Sequence, residues 1–209
     1  FEHDPNFSLP VFREFAVLLY SQAIQERTCN FPHSRPYLSE TAVRALSRRS
    51  QALSVADVVV GTCSLLSASV QGGSLQLQVS LESNYLEKLN SGETAIVANE
   101  QWTFSRKLGS LTKIPEGASK LACPGCGFSG DFPSSGDCPQ CNRTNQQGQL
   151  DWVVSTIQVT NLETFTPHQA EGAGVEAGTN LPTVIHPQLA IRRRELEARH
   201  PDFQLGEFE

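Results

Sequence analysis

The residues best suited to chemistry are four cysteines in two closely spaced pairs, arranged as C-x2-C-x11-C-x2-C. Each Cys-Pro-x-Cys turn brings two thiolates together and leaves backbone amides free to donate to sulfur. Four thiolates are the soft, tetrahedral ligand set that Zn²⁺ favours. The spacing therefore predicts one bound zinc ion with four ligands: Cys123, Cys126, Cys138 and Cys141. A pair of disulfides and a mononuclear iron site are the alternatives.

The predicted zinc site is structural rather than catalytic. A catalytic zinc ion needs an open coordination position, whereas four cysteines fill the shell, and no HExxH or HxE motif accompanies them. The eleven residues between the pairs are small and polar, so metal binding would fold this loop, an effect on the order of 10–16 kcal/mol. Phe128 and Phe132, beside the cysteines, are either the small core of this zinc ribbon or an exposed partner contact.

The two remaining cysteines, Cys29 and Cys63, stand alone in the sequence. Cys63 lies in an apolar segment and is typical of a small core residue. Cys29 follows a predicted helix, and a disulfide between the two remains an alternative. Four zinc-bound thiolates suit a reducing compartment better, which favours the cytoplasmic side.

The sequence gives little support for an enzyme. Its five histidines are scattered, and none is paired with an acid at ligand spacing. Glu100 shares a predicted strand face with Trp102, and an inward carboxylate of this kind could act as a general acid or base. More often such a residue lies at the rim or pairs with an arginine, here Arg106. With no second carboxylate identifiable, we expect no catalytic activity.

The elements that must position these residues belong to the α+β class. Helical periodicity covers residues 9–27, and a second helix starts after an N-cap at Ser39. β-rich or alternating segments predict four antiparallel strands: residues 56–70, 74–82, 94–106 and 151–160. The helices would cover one face of this sheet. Six side chains are candidates for the core or for the lining of an apolar pocket: Phe12, Phe15, Leu77, Val79, Trp102 and Phe104.

The predicted domain organisation has three parts. An α+β domain covers residues 1–165 and contains the zinc-ribbon insertion, residues 110–150, before the last strand. A Gly- and Ala-rich flexible linker follows at 166–185. Residues 186–209 are predicted to form a C-terminal helix and the start of a second repeat, because Pro5 to Phe12 align with Pro201 to Phe208 at an offset of 196 residues. A chance match is the alternative for this repeat.

The charge balance bears on partners. A formal net charge of −6 argues against a nucleic-acid binder, whose affinity comes from clustered Lys and Arg. The basic residues 192–194 are interleaved with acids, which favours a solvated helix face over a contact with anionic lipid. The sequence contains no Met, and we expect it to be a segment cut from a larger protein.

The order of several segments resembles the bacterial Tim-forty-four-like domain. These segments are FSLPVFREFAVLLYSQA, YLSETAVRALSRR, DVVVGTCSLLS, EQWTFSRK, the two cysteine pairs and DWVVSTIQV. The family is named after the mitochondrial inner-membrane translocase subunit of forty-four kilodaltons, whose C-terminal domain it resembles. The resemblance implies a strongly bent antiparallel sheet around an apolar pocket, similar to the nuclear-transport-factor-two and cystatin-like class. The zinc-ribbon insertion is a departure, since the mitochondrial domain lacks one.

The resemblance also implies a role. The mitochondrial relative attaches peripherally to the inner membrane, prefers cardiolipin and helps to tether the import motor. We therefore expect a non-enzymatic binding or scaffold domain of a larger bacterial protein, held at the inner membrane by segments outside this chain. Its partner would be an anionic lipid surface or another protein. The alternative is an enzyme of the cystatin-like class that uses a polar residue in the pocket.

Overall fold

The computed structural model describes residues 4–49, 52–112 and 121–165. Helix α1 spans Leu9–Glu26 and helix α2 spans Glu40–Ser47, with a short 3-10 helix at Arg35–Tyr37 between them. Four strands follow: β1 (Ser54–Gln71), β2 (Ser74–Leu89), β3 (Gly92–Lys107) and β4 (Val153–Phe165). The predicted linker at 166–185, and the helix and repeat at 186–209, lie outside the described residues. Among the described helices, none is long and apolar enough to cross a membrane.

The sheet is an antiparallel meander with strand order β1-β2-β3-β4. This confirms the predicted α+β class with an antiparallel sheet. The alternation predicted along β2 is present, with Leu75, Leu77, Val79 and Leu81 buried. The strand runs seven residues beyond the predicted end at Glu82, to Leu89. The sequence predicts an earlier end because the inward positions beyond Leu81 include the polar side chains of Ser83 and Glu87.

Strand β1 keeps one face on the core from Val55 to Leu65, across the first two of three irregularities in its pairing with β2. Each irregularity adds one residue to β1: between Ala56 and Val59, at Gly61 and at Leu66. A single extra residue would turn every later side chain to the opposite face of a regular strand, but a bulge absorbs it. Bulges also bend and twist a strand locally.

Both helices have recognisable starting signals. Helix α1 has a proline in its first turn, a position where no backbone donor is lost. Helix α2 begins after Ser39, whose side chain accepts a hydrogen bond from the Ala42 amide at 3.2 Å, as the sequence predicted. The buried face of α1 packs on the sheet through residues spaced three and four apart: Phe12, Ala16, Leu19, Tyr20, Ala23 and Ile24.

The six candidate core or pocket residues lie in the main hydrophobic core. Phe12, Leu77, Val79, Trp102 and Phe104 are each no more than 4% exposed. Phe15 is half-buried and packs against them. Edge-to-face aromatic contacts join the α1 side to the sheet, such as that between Phe12 and Phe104 at a centroid distance of 5.2 Å.

Candidate metal centre

The four clustered cysteines lie between β3 and β4. Their four Sγ atoms all lie within 4.8 Å of one another. The closest pairs are Cys123 with Cys141 at 3.7 Å and Cys126 with Cys138 at 3.6 Å. A tetrahedral ion with Zn–S bonds of about 2.3 Å needs sulfurs about 3.8 Å apart, so this donor set fits Zn²⁺.

None of the six cysteines forms a disulfide. A disulfide requires sulfurs about 2.05 Å apart, well below the spacing in the cluster. The two-disulfide alternative is therefore not the state seen here. Cys29 is exposed and Cys63 is half-buried on β1, each with a free thiol. Burial raises the pKa of the Cys63 thiol, in agreement with a neutral packing residue.

The two cysteine pairs have the same backbone conformation. The Cys123 amide donates to the Phe128 carbonyl at 2.6 Å, and the Cys138 amide donates to the Arg143 carbonyl at 2.9 Å. Four residues after the first cysteine of each pair, the chain adopts a positive φ, 80° at Gly127 and 56° at Asn142. Glycine and asparagine tolerate this left-handed conformation best. A Gly or Asn directly after each pair is thus a sequence signal for two matching metal-binding turns.

Backbone amides surround the first cysteine of each turn. The Gly125 amide donates to Cys123 Sγ at 3.3 Å. Burial alone would raise the pKa of the Cys138 thiol, but hydrogen bonds from the Cys141 and Gln140 amides lower that pKa to about 7. Burial raises the pKa of Cys123 to about 12. The positive charge of a bound metal ion would favour the thiolate form of Cys123 against this effect of burial.

The cysteine-bearing segment, residues 121–150, which we call the ribbon, has a very small core of its own. It consists of Cys123, Cys138 and Phe132, with Phe128 and Cys141 partly buried against them. The Phe128 and Phe132 rings meet edge to face at 5.6 Å, and Phe132 is 5% exposed. Phe132 is thus part of the ribbon core rather than an exposed partner contact.

The ribbon is anchored to the segment that follows α1. The Phe132 amide donates to the Pro32 carbonyl at 2.7 Å, and Arg35 Nε donates to the Ser134 carbonyl at 2.6 Å. The Tyr37 hydroxyl donates to the Ala122 carbonyl at 2.6 Å. These contacts fix the ribbon against residues 32–37.

Two charged residues that no sequence motif singles out, Glu26 and Arg35, hold this anchoring segment in place. The buried Glu26 carboxylate accepts hydrogen bonds from the Ser34 amide at 2.8 Å and the Ser34 hydroxyl at 2.7 Å. Arg35 is also buried, donates to the Leu38 carbonyl at 2.8 Å and pairs with Glu40. Gly136 lies so close that a Cβ there would come within 3.2 Å of Arg35 Nη1. No sequence periodicity marks these roles, and the Ser134 carbonyl that Arg35 contacts lies 99 residues away in the chain.

Asn145 closes the return from the ribbon to β4. Its Oδ1 accepts from the Leu150 amide at 2.9 Å and the Asp151 amide at 3.0 Å, and its Nδ2 donates to the Trp152 carbonyl at 3.2 Å. The side chain is 1% exposed. Three hydrogen bonds made by one buried amide side chain therefore fix this turn. No sequence motif marks Asn145 for this role.

The candidate acid Glu100 is fully buried and bonded at both oxygens. Arg49 donates to Oε1 at 2.5 Å and to Oε2 at 2.6 Å. The Tyr20 hydroxyl donates to Oε1 at 3.1 Å and Trp102 Nε1 to Oε2 at 2.7 Å. The hypothesis that Glu100 pairs with Arg106 is wrong. Six strand residues separate the two by about 20 Å, and the packing of α2 brings Arg49 to Glu100 instead.

Arg106 has a different partner, the buried Asp4 carboxylate. The Thr112 amide and hydroxyl also donate to Asp4, at 3.1 and 2.5 Å, and the Arg106 guanidinium lies 4.4 Å from the Trp152 ring centroid. These contacts tie the chain before α1 to the end of β3.

No protein-family model, curated protein or solved structure matches this chain.

Proposed function

We propose that this chain is a non-enzymatic binding or scaffold domain whose ribbon is held by one structural zinc ion. The observation that carries the proposal is the convergence of four cysteine sulfurs within 4.8 Å. When bound, the ion crosslinks the two cysteine turns through Cys123, Cys126, Cys138 and Cys141. It would leave no coordination position open for a substrate or water.

The composition of the ribbon supports a structural role for the ion. Its buried core consists of two ligand cysteines and Phe132, too little apolar surface to offset the conformational entropy of ordering about 30 residues. Metal coordination is the interaction strong enough to do so. The ordered ribbon in turn supports the segment at residues 32–37 through one backbone hydrogen bond, to Pro32, and one from the Arg35 side chain.

The bonding of Glu100 favours a binding domain over the alternative of an enzyme. A general acid or base needs an oxygen that can reach a substrate. Both Glu100 oxygens already accept two hydrogen bonds each, and the side chain is fully buried. Tyr20 is similarly engaged, because its hydroxyl also lies 2.5 Å from Ser83 Oγ. The arrangement supports a role for this cluster in fixing α1 and α2 on the sheet.

The proposed setting follows from the resemblance to the bacterial Tim-forty-four-like domain. We propose a domain of a larger bacterial protein associated with the inner membrane, which docks to anionic lipid or to a protein partner from the cytoplasmic side. The bulges of β1 support the bent sheet of the nuclear-transport-factor-two and cystatin-like class. The meander of four long antiparallel strands under helices supports the same class.

Elemental analysis of the purified protein tests the structural zinc ion. We expect about one zinc per chain, because four thiolates form one complete shell. Cys138→Ser should lower the zinc content, whereas Cys63→Ser, which changes a cysteine outside the cluster, should leave it unchanged. Iron in place of zinc, or a metal-free protein, would contradict the proposal.

Flotation with lipid vesicles tests the membrane partner. Vesicles that contain cardiolipin should carry the protein at low salt, and vesicles of neutral phosphatidylcholine should not. Added salt should weaken the binding, because headgroup attraction is screened. If the protein fails to float with cardiolipin vesicles at low salt, lipid docking is wrong and a protein partner is favoured.

A further inference from the structure

Cys126 differs from the other three cysteines of the metal centre in its exposure to solvent. Cys123 and Cys138 are 4% and 1% exposed, and Cys141 is half-buried, whereas Cys126 is exposed. Backbone amides face three of these sulfurs, from Gly125 at Cys123, from Gln140 and Cys141 at Cys138, and from Phe128 at Cys126, so exposure is what sets Cys126 apart. A reagent from solution therefore meets the centre first at Cys126 Sγ.

A second sulfur lies next to Cys126 in position to complete a redox reaction. Cys138 Sγ is 3.6 Å from Cys126 Sγ, and the other two cysteines form a separate close pair at 3.7 Å. Oxidised cysteine is captured fastest by a thiolate already in contact with it. The centre thus contains an exposed sulfur and a buried resolving sulfur.

Cys29 provides an internal comparison, since it is exposed but lies outside the cluster. Partial desolvation of the thiol, and the nearby Glu26 carboxylate, nevertheless raise the pKa of Cys29. A protonated thiol reacts slowly, whereas a metal-bound cysteine is already a thiolate. Exposure alone therefore does not make a cysteine of this chain reactive.

We propose that Cys126 is the site at which a peroxide oxidises the zinc centre, and that a Cys126–Cys138 disulfide then forms and releases the ion. This inference rests on the proposed zinc site. The Cys126 thiolate attacks one peroxide oxygen and the O–O bond breaks, giving a sulfenic acid and hydroxide. The Cys138 thiolate then attacks the Cys126 sulfur and expels a second hydroxide. The two sulfurs lose two electrons in total, and the peroxide gains them.

Release of the ion would unfold the ribbon. Loss of two thiolates leaves the ion with only Cys123 and Cys141, too few ligands for a structural site. The ribbon core, which includes Phe132, then lacks its crosslink. The hydrogen bonds that join the ribbon to Pro32 and Arg35 would then break. Oxidation of Cys126 would therefore change the surface of the α+β core at residues 32–37.

Treatment of the zinc-loaded full chain with hydrogen peroxide tests this inference. The absorbance of a chelator that changes colour on binding zinc measures the released ion. Mass spectrometry of quenched samples identifies the modified cysteines. We expect one zinc ion released per peroxide consumed, with Cys126 modified first and a Cys126–Cys138 disulfide in the product. Cys29→Ser should release zinc at the unchanged rate.

Two histidine substitutions sharpen the test, since Cys3His is also a structural zinc set. Cys126→His removes the exposed thiolate and should slow peroxide-driven release by at least about tenfold, whereas Cys141→His should not. If either variant fails to bind zinc, the test rests on which cysteine of the unchanged chain is modified first, as identified by mass spectrometry. First modification at a cysteine other than Cys126, or zinc retained under peroxide, would overturn the inference and leave the zinc site standing. A chain purified without zinc would instead overturn the proposed function.

Discussion

The ribbon and the sheet core reach an ordered state by different means. The core packs α1 against β2 and β3 through large side chains such as Trp102 and Phe104, both fully buried. The ribbon buries little more than Phe132 and two cysteines. Apolar burial stabilises the first region, whereas coordination of an ion would stabilise the second.

On the proposed account, the order of the ribbon would depend on a bound ion, whereas the order of the core would not. The core has charged groups too, but they are buried and paired, as in Arg49 with Glu100 and Arg27 with Glu87. Such pairs are costly to break, since the remaining charge has no partner. In the ribbon the equivalent charges would be thiolates, and the proposed ion would be their partner.

Removal of the metal ion should have the largest effect of the changes considered, and it should unfold the ribbon while the core stays folded. Chelation, or Cys123→Ser, removes a contribution on the order of 10–16 kcal/mol from the ribbon. Hydrogen exchange should become fast in residues 121–150 and stay slow in residues 74–107. Cys29→Ser is the control and should change neither. Loss of protection in both regions together would show that the ribbon is integral to the core.

Breaking a buried ion pair of the core should lower the stability of the core and leave the zinc content of the ribbon unchanged. Arg49→Ala leaves the Glu100 carboxylate buried without its cation and should cost about 3–5 kcal/mol in the free energy of unfolding. The neighbouring Arg48 is exposed, so Arg48→Ala should stay within about 0.5 kcal/mol. Urea unfolding measures both values, and zinc content should be unchanged in both variants. Equal effects of the two substitutions would contradict the assigned ion pair.

Asp4 provides a pH-dependent test of the core. Burial would raise the pKa of Asp4, but hydrogen bonds from Thr112 and the Arg106 guanidinium hold it below the ordinary value of 3.8. The carboxylate therefore contributes stability above about pH 3.8, and this contribution is lost as pH falls through the lower folded pKa. Asp4→Asn should cost about 1.5–3 kcal/mol at neutral pH and remove this acid-dependent part.

Urea unfolding at a series of pH values compares Asp4→Asn with the unchanged chain. The difference in the free energy of unfolding should shrink toward acid pH. Glu82→Gln, at an exposed position of β2, is the control and should stay within about 0.5 kcal/mol at neutral pH. A difference that grows as the solution is acidified would contradict the sign of the Asp4 shift.

The smallest predicted effect lies at the junction of the two regions. Tyr37→Phe removes the hydrogen bond to the Ala122 carbonyl and should cost about 0.5–1.5 kcal/mol. Hydrogen exchange should quicken in the ribbon near residue 122 and remain unchanged in β2 and β3. Faster exchange throughout the sheet would show that this contact supports the core rather than the junction.

Local patterns predicted the elements that depend on local chemistry. The alternation of β2, the N-cap at Ser39 and the spacing of the four cysteines could all be seen in the sequence, and the structure confirms each of them. Each is set by residues a few positions apart, so a short window contains the whole signal.

Features that depend on distant residues could not be predicted in this way. Val153, Ile157 and Val159 look like one face of β4, but an extra residue at Ser155 places Val153 opposite Ser105 and off the face of Ile157. The partner of Glu100 lies 51 residues away at the end of α2. Bulges and long-range ion pairs follow from tertiary packing, and no short window contains them.

The central claim, that four thiolates bind one zinc ion and hold the ribbon, is tested most directly by X-ray absorption at the zinc edge of the purified protein. We predict a single shell of four sulfur atoms at about 2.3 Å. A shell that contains nitrogen or oxygen ligands, or a protein without zinc, would contradict the account.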